Sequence, residues 1–420
     1  MAAHPVARIL VSLAVIQGSL FLSGVLVVRA VGVEARGELA LISGVVGIAS
    51  QMGLLGLPAA LVYFIASRRV PALAMISRVA PGLALRITVC AVISVGALLA
   101  LDRFSQPLSA PVGESIMVLL GITVLMLGFT LLAGLQGEER HLSLTIIQAL
   151  PLVVYAGLVV LLVMIDRASI VTLLLANVTG WILVPMTAIP VLRRGGPRPG
   201  RTVLPTTAEV RRFGARAWVA AAGPTDMLGI DQVLIGATVG HSQLGLYVIG
   251  WAFETGTVLP GVALATFLGP RVAAAEPGER IRLARRWLIR GLLIAALVCL
   301  LVELALAPLL VLAFGEEARA AIGPARILLV AGVFLGLRRA LAAVLQALGR
   351  PSWATAAETV SFVVMVTGML GLGSVAGIGG CAVAMALAGL VGVLVQVGML
   401  RRLSVRLRQT RPAPDHAEES

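Results

Sequence analysis

Lysine is absent from this chain: all 33 basic residues among its 420 are arginine. Charge as a whole is scarce, at 13%, where a soluble domain carries about 25%. Aromatic residues make up 4%, and there are only three cysteines and four histidines. Each shortage excludes something. Cys90, Cys299 and Cys381 stand singly in apolar runs at unrelated spacings, so they form neither a disulfide framework nor a thiolate metal site. They read as small packing residues. His4, His141, His241 and His416 lie apart near segment ends, so no zinc or acid–base cluster is expected. Nucleotide-binding loops and nucleophile–base arrangements are missing too, so neither catalysis nor a bound cofactor is expected.

What fills the chain is apolar: 59% of residues are hydrophobic. That composition belongs to an integral membrane protein, whose unit is a spanning helix of about 20 residues. Apolar windows separated by Arg, Gly and Pro predict about twelve spans. Six lie near residues 9–30, 39–66, 80–101, 113–135, 143–165 and 169–192, and six near 215–239, 244–270, 285–313, 323–347, 353–374 and 377–400. The runs are too long and too solidly apolar for barrel strands, which alternate over about ten residues. Only Arg8 precedes the first run, and no small-residue cleavage site follows it, so it reads as a retained helix.

The net charge of +13 could suggest a nucleic-acid partner, but the arginines sit in loops between apolar runs, so none is expected. Orientation explains them better. With the N-terminus inside, 26 arginines fall in cytoplasmic segments and 6 in outer loops, which places both termini in the cytoplasm. The longest connector, RRGGPRPGRTVLPTTAEVRR, divides a six-helix lobe over residues 1–192 from a second over 215–400, with 193–214 as an extended cytoplasmic linker. Residues 401–420 are basic, then Pro-rich and acidic, and read as a disordered cytoplasmic tail beside the lipid headgroups.

An internal repeat supports the division. VLVVRAVGVEARGELALI (25–42) aligns without gaps on VLIGATVGHSQLGLYVIG (233–250), pairing Gly32 with Gly240 and Gly37 with Gly245 at an offset of 208. Each copy ends a helix, turns and starts another. With an even number of spans per half, the halves face the same way, as in parallel-repeat transporters with a substrate path between them. The expected fold is therefore all-α and polytopic, two pseudo-symmetric six-helix bundles around a central cavity.

Charges within the spans are the candidate functional residues, because a carboxylate at the membrane centre costs about 2.5–3.5 kcal/mol on insertion scales. Asp226 and Asp231 lie in span seven and Glu254 in span eight. Asp226 and Glu254 fall at similar depth, where they could share a proton or hold a cation, or be structural hydrogen-bonders. Arg86, Arg338, Arg339 and Glu358 fall in the inner half. The arginines could bind phosphate bidentately in a wet cavity, or snorkel to headgroups. Gln17, Ser19, Ser23 and Gln51 could line a hydrated path or bond between helices. Pro58, Pro151, Pro185, Pro190, Pro260 and Pro308 interrupt the predicted spans and would suit rocking bundles, though proline is common in membrane helices generally.

The stretch VRAVGVEARGELALISGVVGIASQMGLLGLPAALVYFIA (28–66) resembles the first two spans of bacterial polysaccharide transporters. These are the O-antigen and capsule flippases of the multidrug/oligosaccharidyl-lipid/polysaccharide superfamily. In 229–273, Asp231, Gly245 with Tyr247, and Pro270 match that family's second half, and Arg29 falls where it often has arginine. Ala30-Val31-Gly32 departs from the commoner Leu-Leu-Gly. The resemblance implies a flippase of the bacterial cytoplasmic membrane. It would move a polyprenyl-pyrophosphate-linked oligosaccharide to the outer leaflet by alternating access, coupled to H+ or Na+. Glycan polymerases or glycosyltransferases would be its associates. On that reading Arg338, Arg339, Arg86, Arg216 and Arg29 serve phosphate or cavity binding, and Asp226, Asp231, Glu254 and Glu358 ion coupling. The alternatives are a cation-coupled multidrug antiporter, which needs carboxylates and aromatics in its cavity, a lipid II flippase, which often has extra spans, and a membrane-embedded glycan polymerase, which needs a large outer loop.

Overall fold

A computed structural model describes residues 5–68, 70–104, 107–194, 204–222, 225, 228–276 and 279–409. Among them every regular element is helical. The first half contains α1 (Pro5–Leu54), α2 (Leu57–Arg68), α3 (Ala72–Phe104), α4 (Pro111–Gly137), α5 (His141–Met164) and α6 (Ile170–Arg193). The second contains α7 (Thr207–Ala222), α8 (Ile230–Thr238), α9 (His241–Ala274), α10 (Arg280–Phe314), a 3-10 turn (Glu316–Ala321), α11 (Ile322–Ala347) and α12 (Pro351–Gln409).

Nine helices among the described residues are long and apolar enough to cross a membrane, where twelve spans are expected from the sequence. The difference has three sources. Two helices each run through a reversal at a single glycine: α1 at Gly32 (φ 85, ψ 172) and α12 at Gly377 (φ 56, ψ −140). A side chain would strain either conformation. At about 1.5 Å per residue, α12 if straight would be nearly three times the ~30 Å hydrocarbon thickness. It folds back instead. The Ser361 hydroxyl donates to the Ala388 carbonyl at 2.6 Å, and a Cβ on Gly368 would press on Ala384. The third source is the region of span seven, where the described helices are α7, of 16 residues, and α8, of 9.

Two expected connectors are shorter than the sequence suggests. The segment 31–38 reads as an outer loop, yet it is helical on both sides of Gly32. Helix α7 begins at Thr207, inside the stretch read as an extended linker. Thr206 and Glu209 start it: the Glu209 carboxylate accepts from the Thr206 backbone N–H at 2.7 Å, and the Thr206 hydroxyl accepts from the Glu209 N–H at 3.2 Å. This is a capping box. Helix α12 likewise continues to Gln409, into the expected tail; residues 410–420 lie outside the described ones.

The two copies of the repeat meet each other. A Cβ on Gly37 would overlap the backbone carbonyl of His241, and one on Gly245 would overlap that of Val33. Val33 and His241 are themselves 208 apart, so the contact is reciprocal. Gly32 and its equivalent Gly240 (φ 109) precede the crossing helices. Further along, Gly44 abuts Gly229, and their equivalents Ala252 and Phe21 line one cavity together. Small residues let the backbones approach where no hydrophobic force separates helix from lipid.

Two apolar cores flank this crossing. One is built by α1 to α6 and takes in Val210 of α7, with Phe213 stacked on Tyr63 at 4.4 Å. The other joins α8 to α12 with Val28, Val33, Ala40 and Leu41 of α1. Its spine is α9 lying parallel to α11, with Gly250 on Ala325, Thr257 on Gly332 and Gly261 on Gly336.

Candidate functional site

A cavity of about 480 Å³ lies between the two halves, walled by α1, α5 and α6 on one side and α8, α9 and α10 on the other. Its polar lining includes Gln17, Ser23, Ser43, Asn177, Gln232 and Arg36. Gln17 and Ser23 are among the residues that could line a path or bond between helices; Arg36 is not among those singled out in the sequence. Arg36 is the one charged residue among the described lining, and no carboxylate joins it. It lies beside the Tyr155 phenol and makes no ion pair to a described residue. Rings from Phe21, Trp251 and Phe314 contribute apolar wall.

Arg36 reaches this place because of Gly32. A loop over 31–38 would leave Arg36 in solvent. With the chain reversed at one residue, Arg36 is already in the second turn of the returning helix, on the face that carries Leu39, Ala40 and Ser43 into the cavity. The clue lay in the repeat, which places Gly32 directly before a helix start.

The expected phosphate-binding arginines lie elsewhere, and none of the four whose side chains are described lines this cavity. Arg29 donates from Nε to the Ala313 carbonyl at 2.6 Å and from Nη2 to the Leu312 carbonyl, neutralising the C-terminal end of α10. Arg86 donates to the Leu54 carbonyl at 3.1 Å, where the Leu55–Gly56 break ends α1, and it lines a different groove. Arg338, 3% exposed, is ion-paired with Glu358. The pairing brings together a cation and an anion that were expected in separate tasks, phosphate binding and ion coupling. Glu358 also accepts from the Thr225 N–H at 3.3 Å. Arg339, its neighbour on α11, is half-buried and lines none of the cavities described here. The side chain of Arg216, and Asp226 altogether, lie outside the described residues.

The remaining acids form a separate buried group in the second half. Asp231, in the first turn of α8, accepts a hydrogen bond from the Tyr247 hydroxyl at 3.0 Å. Tyr247 is fully buried and interacts electrostatically with both Asp231 and Glu254. Glu254 follows Tyr247 by seven residues, two turns along the same face of α9. It packs against Gly332, in the seam with α11 and away from the cavity. Two acids of the first half went unnoticed. Glu38 accepts from the Ser109 N–H and hydroxyl, each at 2.6 Å, and Glu114 accepts from the Ala110 N–H at 3.0 Å. Both hold the turn that precedes α4; Glu114 does so from within the first turn of that helix, and nothing beside Glu38 in the sequence marks its partner, 71 residues on.

Among the described residues no group of His, Cys, Asp and Glu could hold a metal ion. No family model matches the chain, and no curated relative does. Solved structures do. An inward-facing multidrug resistance MATE family transporter of the MOP superfamily matches with a TM-score of 0.74 at 15% identity, over 96% of this chain and 99% of that one. The lipid II flippase MurJ, in an inward closed conformation, matches with a TM-score of 0.75 at 12% identity, over 93% of this chain and 87% of that one. The MATE multidrug transporter DinF-BH matches with a TM-score of 0.63 at 18% identity over 96% of each chain. At these identities the likeness establishes the fold that these transporters share.

Proposed function

We propose that this protein is an alternating-access transporter that moves a phosphate-bearing amphiphile across the membrane through the cavity around Arg36. A polyprenyl-pyrophosphate-linked oligosaccharide, carried from the inner to the outer leaflet, is the cargo this reading favours. The observation that carries it is the sign of the charge. A cavity with one guanidinium and no described carboxylate attracts an anion and repels a cation. Its amide and hydroxyl groups suit sugar hydroxyls, and the lipid tail stays in the bilayer.

With both termini cytoplasmic, as the arginine distribution favours, the Gly37–Gly245 crossing closes the outer end. Rocking of a lobe over 1–192 against one over 215–400 would part it. Asp231, with Tyr247 and Glu254 beside it, is the group we assign to ion coupling, since buried acids on neighbouring helices change their interactions with one proton or cation.

A second reading, a cation-coupled multidrug antiporter, draws support from the comparisons, where multidrug transporters outnumber the lipid flippase. The cavity's rings also suit it; its charge does not. Binding to the purified protein separates the two. Arg36→Gln should weaken binding of a polyprenyl pyrophosphate by about tenfold or more, the scale of one charge-assisted hydrogen bond, and should not weaken a lipophilic cation. Tight cation binding by the native protein, with no pyrophosphate-lipid binding, would favour the antiporter.

A further inference from the structure

A second cavity, also about 480 Å³, lies outside the path between the halves. It is a groove walled by α3, by the break between α1 and α2, and by the first turn of α7. Three arginines line it: Arg78 and Arg86 from α3 and Arg211 from α7. The rest of the wall is largely apolar, with Leu55, Leu57 and Leu85 among it. No carboxylate is among the described lining residues. The nearest acid of α7, Glu209, is turned onto Thr206 at the helix start.

Arg86 and Arg211 come close enough to repel each other. Arg86 is held there by the Leu54 carbonyl, at the electronegative end of the broken helix, and its guanidinium has further donors to spend. Two like charges gathered over an apolar wall, with no counter-charge among the described residues that line it, favour an anion from elsewhere. The surroundings say which kind. Along α3 the groove continues into a bare apolar face, with Leu85 67%, Val92 68% and Ile93 64% exposed. In a membrane protein that face meets acyl chains. The arginine distribution sets the groove at the cytoplasmic leaflet.

We propose that this groove is a binding site for an anionic phospholipid, whose headgroup phosphate sits among Arg78, Arg86 and Arg211 while its acyl chains lie along α3. The site clips α7 to the first half, and α7 leads on to α8 of the second, so its occupant is placed to bias how the halves sit. The site is separate from the cavity at Arg36 and stands whatever that cavity carries.

Native mass spectrometry of the full-length protein, offered phosphatidylglycerol and phosphatidylcholine of equal chain length, reads the occupant directly. Native protein should retain phosphatidylglycerol with about a tenfold preference, and Arg86→Gln/Arg211→Gln should bring the preference near unity. Arg193→Gln/Arg194→Gln, which removes two exposed charges from the end of α6, should leave it in place. Arg211 is exposed on α7, so Arg211→Gln alone serves if the double variant does not fold. Equal retention by native and variant protein would overturn the proposal. Displacement of the phospholipid by inorganic phosphate would overturn the lipid assignment and make the groove a site for free anions.

Discussion

Arg338 and Arg36 are both arginines within apolar helices, and they do opposite things. Arg338 is buried and neutralised by Glu358. Arg36 faces an open cavity with no described carboxylate. Taking one partner from a buried pair leaves an uncompensated charge, which costs about 3–5 kcal/mol. Arg338→Met should therefore lower the unfolding midpoint in detergent markedly, and Arg338→Met/Glu358→Leu should recover most of the loss. If the double variant fares no better than the single, the pair is not what holds this part of α11 and α12. That Arg338 lies within an apolar helix was legible in the sequence. Partner and facing were not, because both depend on which helix lies alongside. Arg36 was further concealed by a reversal completed in one glycine where a loop of about eight residues seemed necessary.

The crossing of α1 and α9 is where the two copies of the repeat touch. Gly37 against His241, and Gly245 against Val33, bring two backbones together at the approximate symmetry axis. A depression beside it is lined by Glu34 and Ser242, again 208 residues apart. If this contact must part in each cycle, a bridge across it should stop the cycle. Glu34→Cys/Ser242→Cys, in a background free of Cys90, Cys299 and Cys381, should lose transport when joined by a short reducible bifunctional reagent. Activity should return on reduction. Full activity with the bridge in place would mean that this end does not open. The repeat that locates the crossing was readable without any structure, since glycines at matched positions mark both the turn and the close approach. Why α7 lies on the first half could not be read. Nothing in TAEVRRFGARAW distinguishes packing on Tyr63 from packing on a later helix.

At the scale of the whole molecule, composition and hydropathy sufficed for an all-α, polytopic protein, and the internal repeat for its pseudo-symmetry. The helix count differs because continuous helices conceal reversals at Gly32 and Gly377. The proposed function rests on what the halves enclose. The cavity at their interface is small, ringed by amides, hydroxyls and aromatic rings, and biased towards anions by Arg36. The buried group at Asp231, Tyr247 and Glu254 stands in the second half, outside the described lining of that cavity. The most direct measurement is leaflet-resolved movement of a fluorescent polyprenyl-pyrophosphate glycolipid in vesicles containing the purified protein. Native protein should expose the inner-leaflet probe to a membrane-impermeant reagent outside, and Arg36→Gln should slow that exposure by about tenfold or more. Equal rates for the two, or no movement of the glycolipid while a lipophilic cation crosses readily, would contradict the assignment.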